Sequence, residues 1–578
     1  MASTISQGVS AHLNQAGLAT DVAVEFDVPA VMRDGIVLRA NVYRPASGGP
    51  WPVLLSRLPY GKDASPGFLG GVLLLDPMQL ARRGFVVVIQ DTRGRFKSDG
   101  EWLPLTFERE DGYDTVEWAA TLPGSNGRVG MFGGSYFGYT QWAAAGQRPP
   151  SLSAIAPVMC WSDPLDGLFA RGGALEWGTV VPWSLRMGAN VIDRLNIDEP
   201  ERVRRREALI DDRDQIVRAY WELPVTANPV LQRHGFPDLG AVRMLDDEQV
   251  VERVRVTDDY DSIQVPTFHV TGWYDMCLQG TVDNYMAMVR RGHDARLVIG
   301  PWSHDPHGYA DPIGEEVFGL RASFFDAPVH DGRDLRAFQL AWFRRHLYPD
   351  PTVALPEAPI RLFVMGRNKW RSEYSWPPPD VTIRRYFLSG EGTLGTDPPA
   401  AKPPTEFNYD PADPVPTLGG HTHLPPGYAQ GACDQSPIES RDDVIVFTSA
   451  PLTQELEVTG PVRIIVHAAS SAPSTDWVAR LCDVHLDGRS INLCDGVVRV
   501  TERADTLRRY EIDLWATSTV FFPGHRLRVH ITSSSFPRWD RNLNTGNQRV
   551  ADYRVARQQI FHDDEHPSYL ELSVRSAD

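Results

Sequence analysis

A chain of 578 residues is too long for one hydrophobic core and predicts about two to four domains. Its 42% hydrophobic content and 16 tryptophans describe a folded globular protein, not a disordered one. A net charge of −17 argues against binding nucleic acid or an anionic membrane through electrostatics.

In chain order, Met1 to Gly17 lacks the basic-then-apolar pattern of a signal peptide. No run of about 18 apolar residues follows, so a soluble cytoplasmic protein without a membrane span is the expectation. Residues 22–28 and 36–43 alternate like strands around Arg33-Asp34-Gly35, whose Asp-Gly turn predicts an antiparallel hairpin. Short continuous apolar runs at 52–55, 85–89, 128–132 and 153–158 are separated by helical spacing over 76–82 and 110–122. That alternation reads as α/β, a mostly parallel sheet with helices on both faces.

From about Cys160 to Thr257 the segments turn helical and charge-rich, as over 201–223, with no clear strand. This predicts a helical cap insertion over 161–254. Strands return at 266–270 and 295–299, and helical spacing over 335–346 closes a first domain made of 1–160 and 255–355. Beyond it, runs at 462–466, 477–486 and 526–531 between Gly/Pro/Asp turns predict a β-sandwich or jelly roll over 356–578. The proline-dense stretch from Trp376 to Pro416 reads as long loops within that domain.

Gly133-Gly134-Ser135-Tyr136-Phe137-Gly138 joins a strand-like run to a helix-compatible one. A strand that turns sharply into a helix around one serine is the nucleophile elbow of α/β-hydrolases. The flanking glycines matter because a strained turn packed against its neighbours leaves no room for Cβ atoms. The second glycine comes three residues after the serine instead of two, and the hexapeptide alone reads equally well as an ordinary glycine turn.

A serine hydroxyl becomes nucleophilic when a base removes its proton, and the base needs a third group to fix its tautomer. In this fold the chain order is serine, acid, histidine. The two strands after the cap end in Gly272-Trp273-Tyr274-Asp275 and Gly300-Pro301-Trp302-Ser303-His304, which puts Asp275 and His304 where acid and base belong. An aspartate after a strand also serves as a helix cap, and His307 lies close enough to compete with His304. The N–H of Tyr136 comes with the elbow as one donor to a developing oxyanion. After the early strand, Ser56-Arg57-Leu58-Pro59-Tyr60-Gly61-Lys62 has no glycine-rich backbone loop, so the Tyr60 phenol reads as a second donor or as a packed aromatic. Five cysteines, Cys160, Cys277, Cys433, Cys482 and Cys494, form no CxxC pattern, which indicates neither a zinc site nor a disulfide framework.

Pro59-Tyr60, Ile89-Gln90-Asp91-Thr92-Arg93-Gly94, Gly130 to Tyr136, Gly272 to Asp275 and Gly300 to His304 occur in that order. Further on stand Phe363-Val364-Met365-Gly366, the 409–416 segment, Pro523-Gly524-His525-Arg526 and Ser533-Ser534-Ser535-Phe536-Pro537. Together, over nearly the whole chain, they resemble the cocaine esterase branch of the X-Pro dipeptidyl-peptidase-like serine hydrolases. The resemblance implies an α/β-hydrolase domain, a helical insertion and a C-terminal jelly roll. It also implies a Ser135–His304–Asp275 triad, oxyanion donors from the Tyr60 hydroxyl and the Tyr136 N–H, and Gly-x-Ser-Tyr-x-Gly as the family's own elbow. Asp91 and Arg93 are then structural, fixing the loop after their strand.

In that branch the acyl group lies in an aromatic pocket built by the cap, the loop after the acid and the jelly roll. Alignment on Gly172-Gly173-Ala174-Leu175 makes Trp183 the pocket tryptophan, with plain cap core as its other reading. Two departures stand out: Cys277 where an aromatic residue is expected, and His423 with Leu424 where apolar residues face the pocket. Less aromatic surface weakens the grip on a benzoyl group. Met276-Cys277-Leu278 offers no carboxylate near the acid for a substrate ammonium. The expectation is a hydrolase of small-molecule acyl or aryl esters, without metal or cofactor and without nucleic-acid or membrane partners; a homodimer is left open. The alternatives are an X-Pro dipeptidyl aminopeptidase, an amide or α-amino acid ester hydrolase, and a carbohydrate-binding protein with a decayed hydrolase core.

Overall fold

The computed structural model describes residues 21–64, 75–235, 247–304, 313–325, 327–348, 353–400 and 402–575. The readings made for Met1 to Gly17 and for His307 lie outside these residues. Strands β1 (Val22–Val31) and β2 (Val37–Pro45) pair antiparallel across the Asp34-Gly35 turn, where Gly35 takes φ +85°. β3 (Trp51–Leu58), β4 (Val86–Asp91), β5 (Ser125–Gly134) and β6 (Leu152–Val158) follow, with helices α1 (Pro77–Arg82), α2 (Glu108–Ala120) and α3 (Tyr136–Gly146) between them. The cap contributes β7 (Ala170–Arg171), β8 (Ala174–Leu175), α4 (Trp177–Arg194), α5 (Glu199–Asp214), α6 (Ile216–Trp221), α7 (Pro229–Arg233) and α8 (Glu248–Val254). β9 (Thr267–Tyr274), α9 (Leu278–Arg290), β10 (Ala295–Ser303), α10 (Leu335–Leu347), β11 (Ile360–Val364) and β12 (Lys369–Glu373) complete the first domain.

Its sheet runs β1-β2-β4-β3-β5-β6-β9-β10-β11-β12. Pairing is parallel from β4 through β11, with antiparallel partners at both edges. Every residue of β4 and β9 is buried, which is why these strands read as continuous apolar runs and not as alternation. At Gly130 in β5 an added Cβ would lie 2.8 Å from Leu347 and 2.9 Å from Phe343, so α10 packs directly on the sheet there. Helix α5 looks charge-rich because only Leu209 is buried along it, and its exposed faces carry pairs such as Arg205–Glu201.

The second domain is all-β: β13 (Val381–Ser389), β14 (Thr393–Gly395), β15 (Thr405–Tyr409), β16 (Ile445–Ser449), β17 (Leu456–Ser470), β18 (Ser474–Val484), β19 (Ser490–Thr501), β20 (Arg508–Phe521), β21 (Arg526–Thr532), β22 (Ala556–Phe561) and β23 (Tyr569–Arg575). Its interior is a separate cluster that includes Val466, Trp477, Leu514 and Ile531.

Three expectations are corrected. The cap does contain strands: β7 and β8 form a hairpin whose two-residue arms are too short to show a period. Gly172 in its turn takes φ +52°, and a Cβ there would lie 2.0 Å from the Val497 carbonyl oxygen, so the hairpin rests on β19. β11 and β12, placed beyond residue 356, hydrogen-bond to the hydrolase sheet through β10. The stretch from Trp376 to Pro416 is not all loop; its prolines fall outside β13, β14 and β15, before the first, between the last two and after the third.

His269 on β9 is fully buried, with Nε2 at 2.9 Å from Thr267 Oγ1 and its ring against Trp142 and Tyr285. Desolvation holds its pKa down at about 3. The unfolded chain therefore binds this proton first, so the contribution to stability is complete above about pH 6.5 and is lost as pH falls from there toward 3. Replacing His269 with Phe should make the unfolding free energy less acid-sensitive, narrowing the gap to wild type by about 2 kcal/mol between pH 7 and pH 5. Urea titrations at the two pH values measure this; a gap independent of pH contradicts it.

Candidate active site

β5 enters α3 through Ser135, whose backbone stands at φ 54°, ψ −122°. Such a conformation costs a side-chain-bearing residue about 1–3 kcal/mol and persists only where the surroundings enforce it. Here the Ser135 N–H donates to the Val158 carbonyl at 2.9 Å, and the Ser135 carbonyl accepts from the N–H groups of Gly138 and Tyr139 at 2.8 and 3.0 Å. Gly133 takes φ +123°, and a Cβ there would lie 2.8 Å from Phe137 Cβ. At Gly138 a Cβ would lie 2.8 Å from Cys160 Cβ. The late glycine is thus a packing requirement, letting α3 approach the chain that leaves β6.

The Tyr136 side chain points away from solvent into a polar cluster. Its hydroxyl donates to Glu108 Oε1 and accepts the Leu105 N–H, both at 2.9 Å. Glu108 Oε2 pairs with Arg57 Nη1 at 2.8 Å. Burial raises both the Glu108 carboxyl and the Tyr136 phenol above their ordinary values. The first turn of α3 is pinned this way, and the Tyr136 N–H sits where no intrahelical acceptor exists.

Asp275 follows β9 in a tight turn, its N–H donating to the Gly272 carbonyl at 3.1 Å. Its carboxylate is fully buried. Oδ2 accepts from Thr271 Oγ1 at 2.8 Å, and Oδ1 accepts the Cys277 N–H at 3.0 Å, so the carboxylate is held by the turn ahead of α9, whose N-cap is Cys277 and not the aspartate. His304, just past β10, has Nδ1 at 2.8 Å from Asp275 Oδ1 and Nε2 at 3.0 Å from Ser135 Oγ. With Nδ1–H donating to the carboxylate, Nε2 presents a lone pair to the serine hydroxyl, the tautomer that can take its proton.

Ser135, Tyr136 and His304 line an inner chamber of about 50 Å³ with Tyr60 and a largely apolar wall that includes Trp161, Phe169, Val180 and Met276. An outer chamber of about 580 Å³ lies between α4–α6 and residues 423–426, lined by Ile210, Arg213, Asp214, Ile216, Leu424 and Pro425 among others. The two share Thr179, Trp183, Arg186 and His423. Trp183 Nε1 donates to the Tyr60 hydroxyl at 3.2 Å, and the Arg186 guanidinium lies 5.2 Å from the Tyr60 ring centre. The His423 ring stands edge-on to His304, centroids 5.0 Å apart.

One pocket expectation is corrected. Cys277 is buried and does not line either chamber; Met276 does, because the turn that offers the 277 N–H to Asp275 directs the 276 side chain into the pocket. Desolvation keeps the Cys277 thiol well above its ordinary pKa. Leu424 lines only the outer chamber. The walls Trp161, Phe169 and Arg186 went unread because no spacing in the chain links them to Ser135.

Two described groups place possible metal ligands within 4.8 Å of one another. One is Asp275–Cys277–His304, whose hydrogen bonds are those just given. In the other, Asp483 accepts from His525 Nδ1 at 2.9 Å and has His485 Nε2 at 3.5 Å, while Arg489 Nη2 lies 3.4 Å from His485 Nδ1. A guanidinium donor beside Nδ1 favours the tautomer that keeps its proton on Nε2, against a metal at that nitrogen.

Residues 34–306 match the family model of X-Pro dipeptidyl-peptidase (S15 family), and residues 354–571 that of the X-Pro dipeptidyl-peptidase C-terminal non-catalytic domain. The chain is 36% identical to a cocaine esterase of Rhodococcus sp. (strain MB1 Bresler), over 96% of this chain and 98% of that protein. Among solved structures it resembles an aminopeptidase from the marine sediment archaeon Thaumarchaeota archaeon, with TM-score 0.79, 25% identity and coverage of 96% and 97%. It shares its fold with an α-amino acid ester hydrolase, with TM-score 0.77, 23% identity and coverage of 97% and 98%. From a hydrolase sheet with its elbow, a C-terminal all-β domain and a relative matched along nearly its whole length, it follows that this chain belongs to the X-Pro dipeptidyl-peptidase (S15) family.

Proposed function

We propose that this protein is a serine esterase acting on small-molecule carboxylic esters through Ser135, His304 and Asp275. The observation that carries the reading is the His304 imidazole, within hydrogen-bond reach of both the serine hydroxyl and the buried carboxylate. Ser135 Oγ attacks the ester carbonyl as its proton passes to His304 Nε2. Asp275, held by Thr271 and the Cys277 N–H, stabilises the imidazolium that results. The Tyr60 O–H and the Tyr136 N–H receive the oxyanion of the tetrahedral intermediate. His304 then protonates the departing alkoxide, leaving an acyl-enzyme. Water, deprotonated by the same imidazole, hydrolyses that ester and frees the acid.

No carboxylate stands among the described residues lining the inner chamber, whose single charged side chain is Arg186. An α-ammonium group next to the scissile carbonyl would find no counter-ion there, which favours an ester over an X-Pro dipeptide or an α-amino acid ester. The small aromatic inner chamber takes the acyl side chain, and the larger outer chamber takes the alcohol portion. Trp183, shared by both and bonded to Tyr60, separates them.

A fluorophosphonate should label the protein stoichiometrically at Ser135 and should not label Ser135→Ala; unlabelled wild-type protein contradicts the nucleophile assignment. Tyr60→Phe should lower kcat for a p-nitrophenyl ester by about 10²–10³ with the fold intact, the usual loss for one oxyanion donor; near-full activity removes Tyr60 from the mechanism. Along a p-nitrophenyl series, kcat/KM should fall by about tenfold or more from acetate to octanoate, because a chain longer than the inner chamber must displace its walls. Equal or better turnover of octanoate would reverse the chamber assignment.

A further inference from the structure

We propose that Asp91 is a positioning residue for the oxyanion tyrosine, its buried carboxylate holding the backbone that presents the Tyr60 hydroxyl to the substrate carbonyl. This rests on the esterase reading above and on the role given there to Tyr60.

Asp91 ends β4 beside the end of β3, in register with Leu58. A carboxylate at that place would ordinarily close its own turn. This turn is closed without it: Thr92 N–H donates to the Leu58 carbonyl, Gly94 N–H to Asp99, and Ser98 Oγ to the Asp91 backbone carbonyl. The side chain reaches across to the neighbouring loop, where Oδ1 accepts the Lys62 N–H at 2.7 Å. Oδ2 is buried and makes no hydrogen bond of normal geometry, the carboxylate gaining only a weaker contact with the Lys97 N–H. A neutral acceptor would hold one N–H without the desolvation of a carboxylate, so a buried acid whose one bond of normal geometry goes to Lys62 points to a need for the stronger, charge-assisted bond.

The same turn grips the loop on its other side. Arg95, buried, donates from Nε to the Pro59 carbonyl at 2.9 Å and from Nη1 to the Met187 carbonyl of α4 at 3.2 Å. Tyr60 is thus fixed before and after itself by two charged groups from one turn, while Trp183 of α4 bonds its hydroxyl. The charged groups facing Asp91 are Lys62, whose Nζ is turned to Asp27 and Asp63 at 2.6 and 2.9 Å, then Asp63 and Arg95, while Lys97 acts on it through its backbone N–H and turns its ammonium to Asp27 and Asp63. Desolvation outweighs the lowering effects of the Lys62 N–H and charge and of the Lys97 N–H, and raises Asp91 to about 7. Above that pH the acceptor is a carboxylate; below it, a neutral acid that holds Lys62 more weakly.

Asp91→Ala and Asp91→Asn, each in wild type and in Tyr60→Phe, test this with p-nitrophenyl acetate across about pH 5.5–9. Asp91→Ala should lower kcat by about tenfold or more with KM within about threefold, and in the Tyr60→Phe background the same change should cost under about twofold. Asp91→Asn, whose amide oxygen still accepts the Lys62 N–H, should recover part of kcat and lack the ionisation near pH 7. No loss in Asp91→Ala, or an equal loss in both backgrounds, overturns the positioning role while leaving the esterase standing. Full activity in Tyr60→Phe removes the Tyr60 role and this proposal with it. Should Asp91→Ala fail to fold, the Asp91→Asn profile decides, and a profile identical to wild type overturns the proposal.

Discussion

The backbone of Ser135 stands where a side-chain-bearing residue is strained, and the rest of the site depends on the packing that holds it there. Glycines at 133 and 138 let Phe137 and Cys160 close on the turn, and Val158 of the adjacent strand accepts its N–H. Behind it, Tyr136 is anchored through Glu108 to Arg57 on β3. Because β5, β6, β9 and β10 are successive neighbours in the sheet, their carboxyl ends deliver the serine, the carboxylate and the imidazole to one edge. The serine and histidine are 169 residues apart in sequence and 3.0 Å apart in space.

The chamber over that edge has walls from three sources. The hydrolase core gives Tyr60 and Met276, the cap gives Phe169, Val180 and Trp183, and the all-β domain gives His423. Charges buried between the last two set their fit. Arg538 pairs with Asp495 at 2.6 Å and with Glu176 at 3.5 Å, His421 Nδ1 lies 3.0 Å from Asp495, and the Arg171 guanidinium stacks 3.6 Å from the Trp515 ring centre. Loss of one such partner leaves the other buried and unpaired, at a cost of about 3–5 kcal/mol. The cap hairpin therefore has one register on β19, and His423, two residues from His421, has one place beside His304.

Much of this was legible along the chain. The buried parallel strands appear as apolar runs, the β1–β2 turn as Asp-Gly, and the acid and base as polar residues closing the two strands after the cap. The errors share a cause. β7, β8 and β14 are too short to carry a period, and prolines around β13 and β15 drew attention from the alternation between them. β11 and β12 look like any other strands, and only their pairing with β10 says which sheet they join. For Asp91 the resemblance implies only a residue that fixes the loop after its strand, because nothing in a sequence shows which N–H a carboxylate will reach.

Sequence by itself determined the chemistry: which residue types stand at strand ends, in what order, with which glycines beside the serine. These are local facts, set by backbone conformation and by the period of burial. Tertiary structure decided the recognition surface: Met276 in place of Cys277, two chambers meeting at Trp183 and His423, and a carboxylate at 91 serving a neighbouring loop. Those outcomes arise from contacts that no pattern in the chain announces, from the turn at Asp275 to the 123 residues between Tyr60 and Trp183, and packing and desolvation choose the partners.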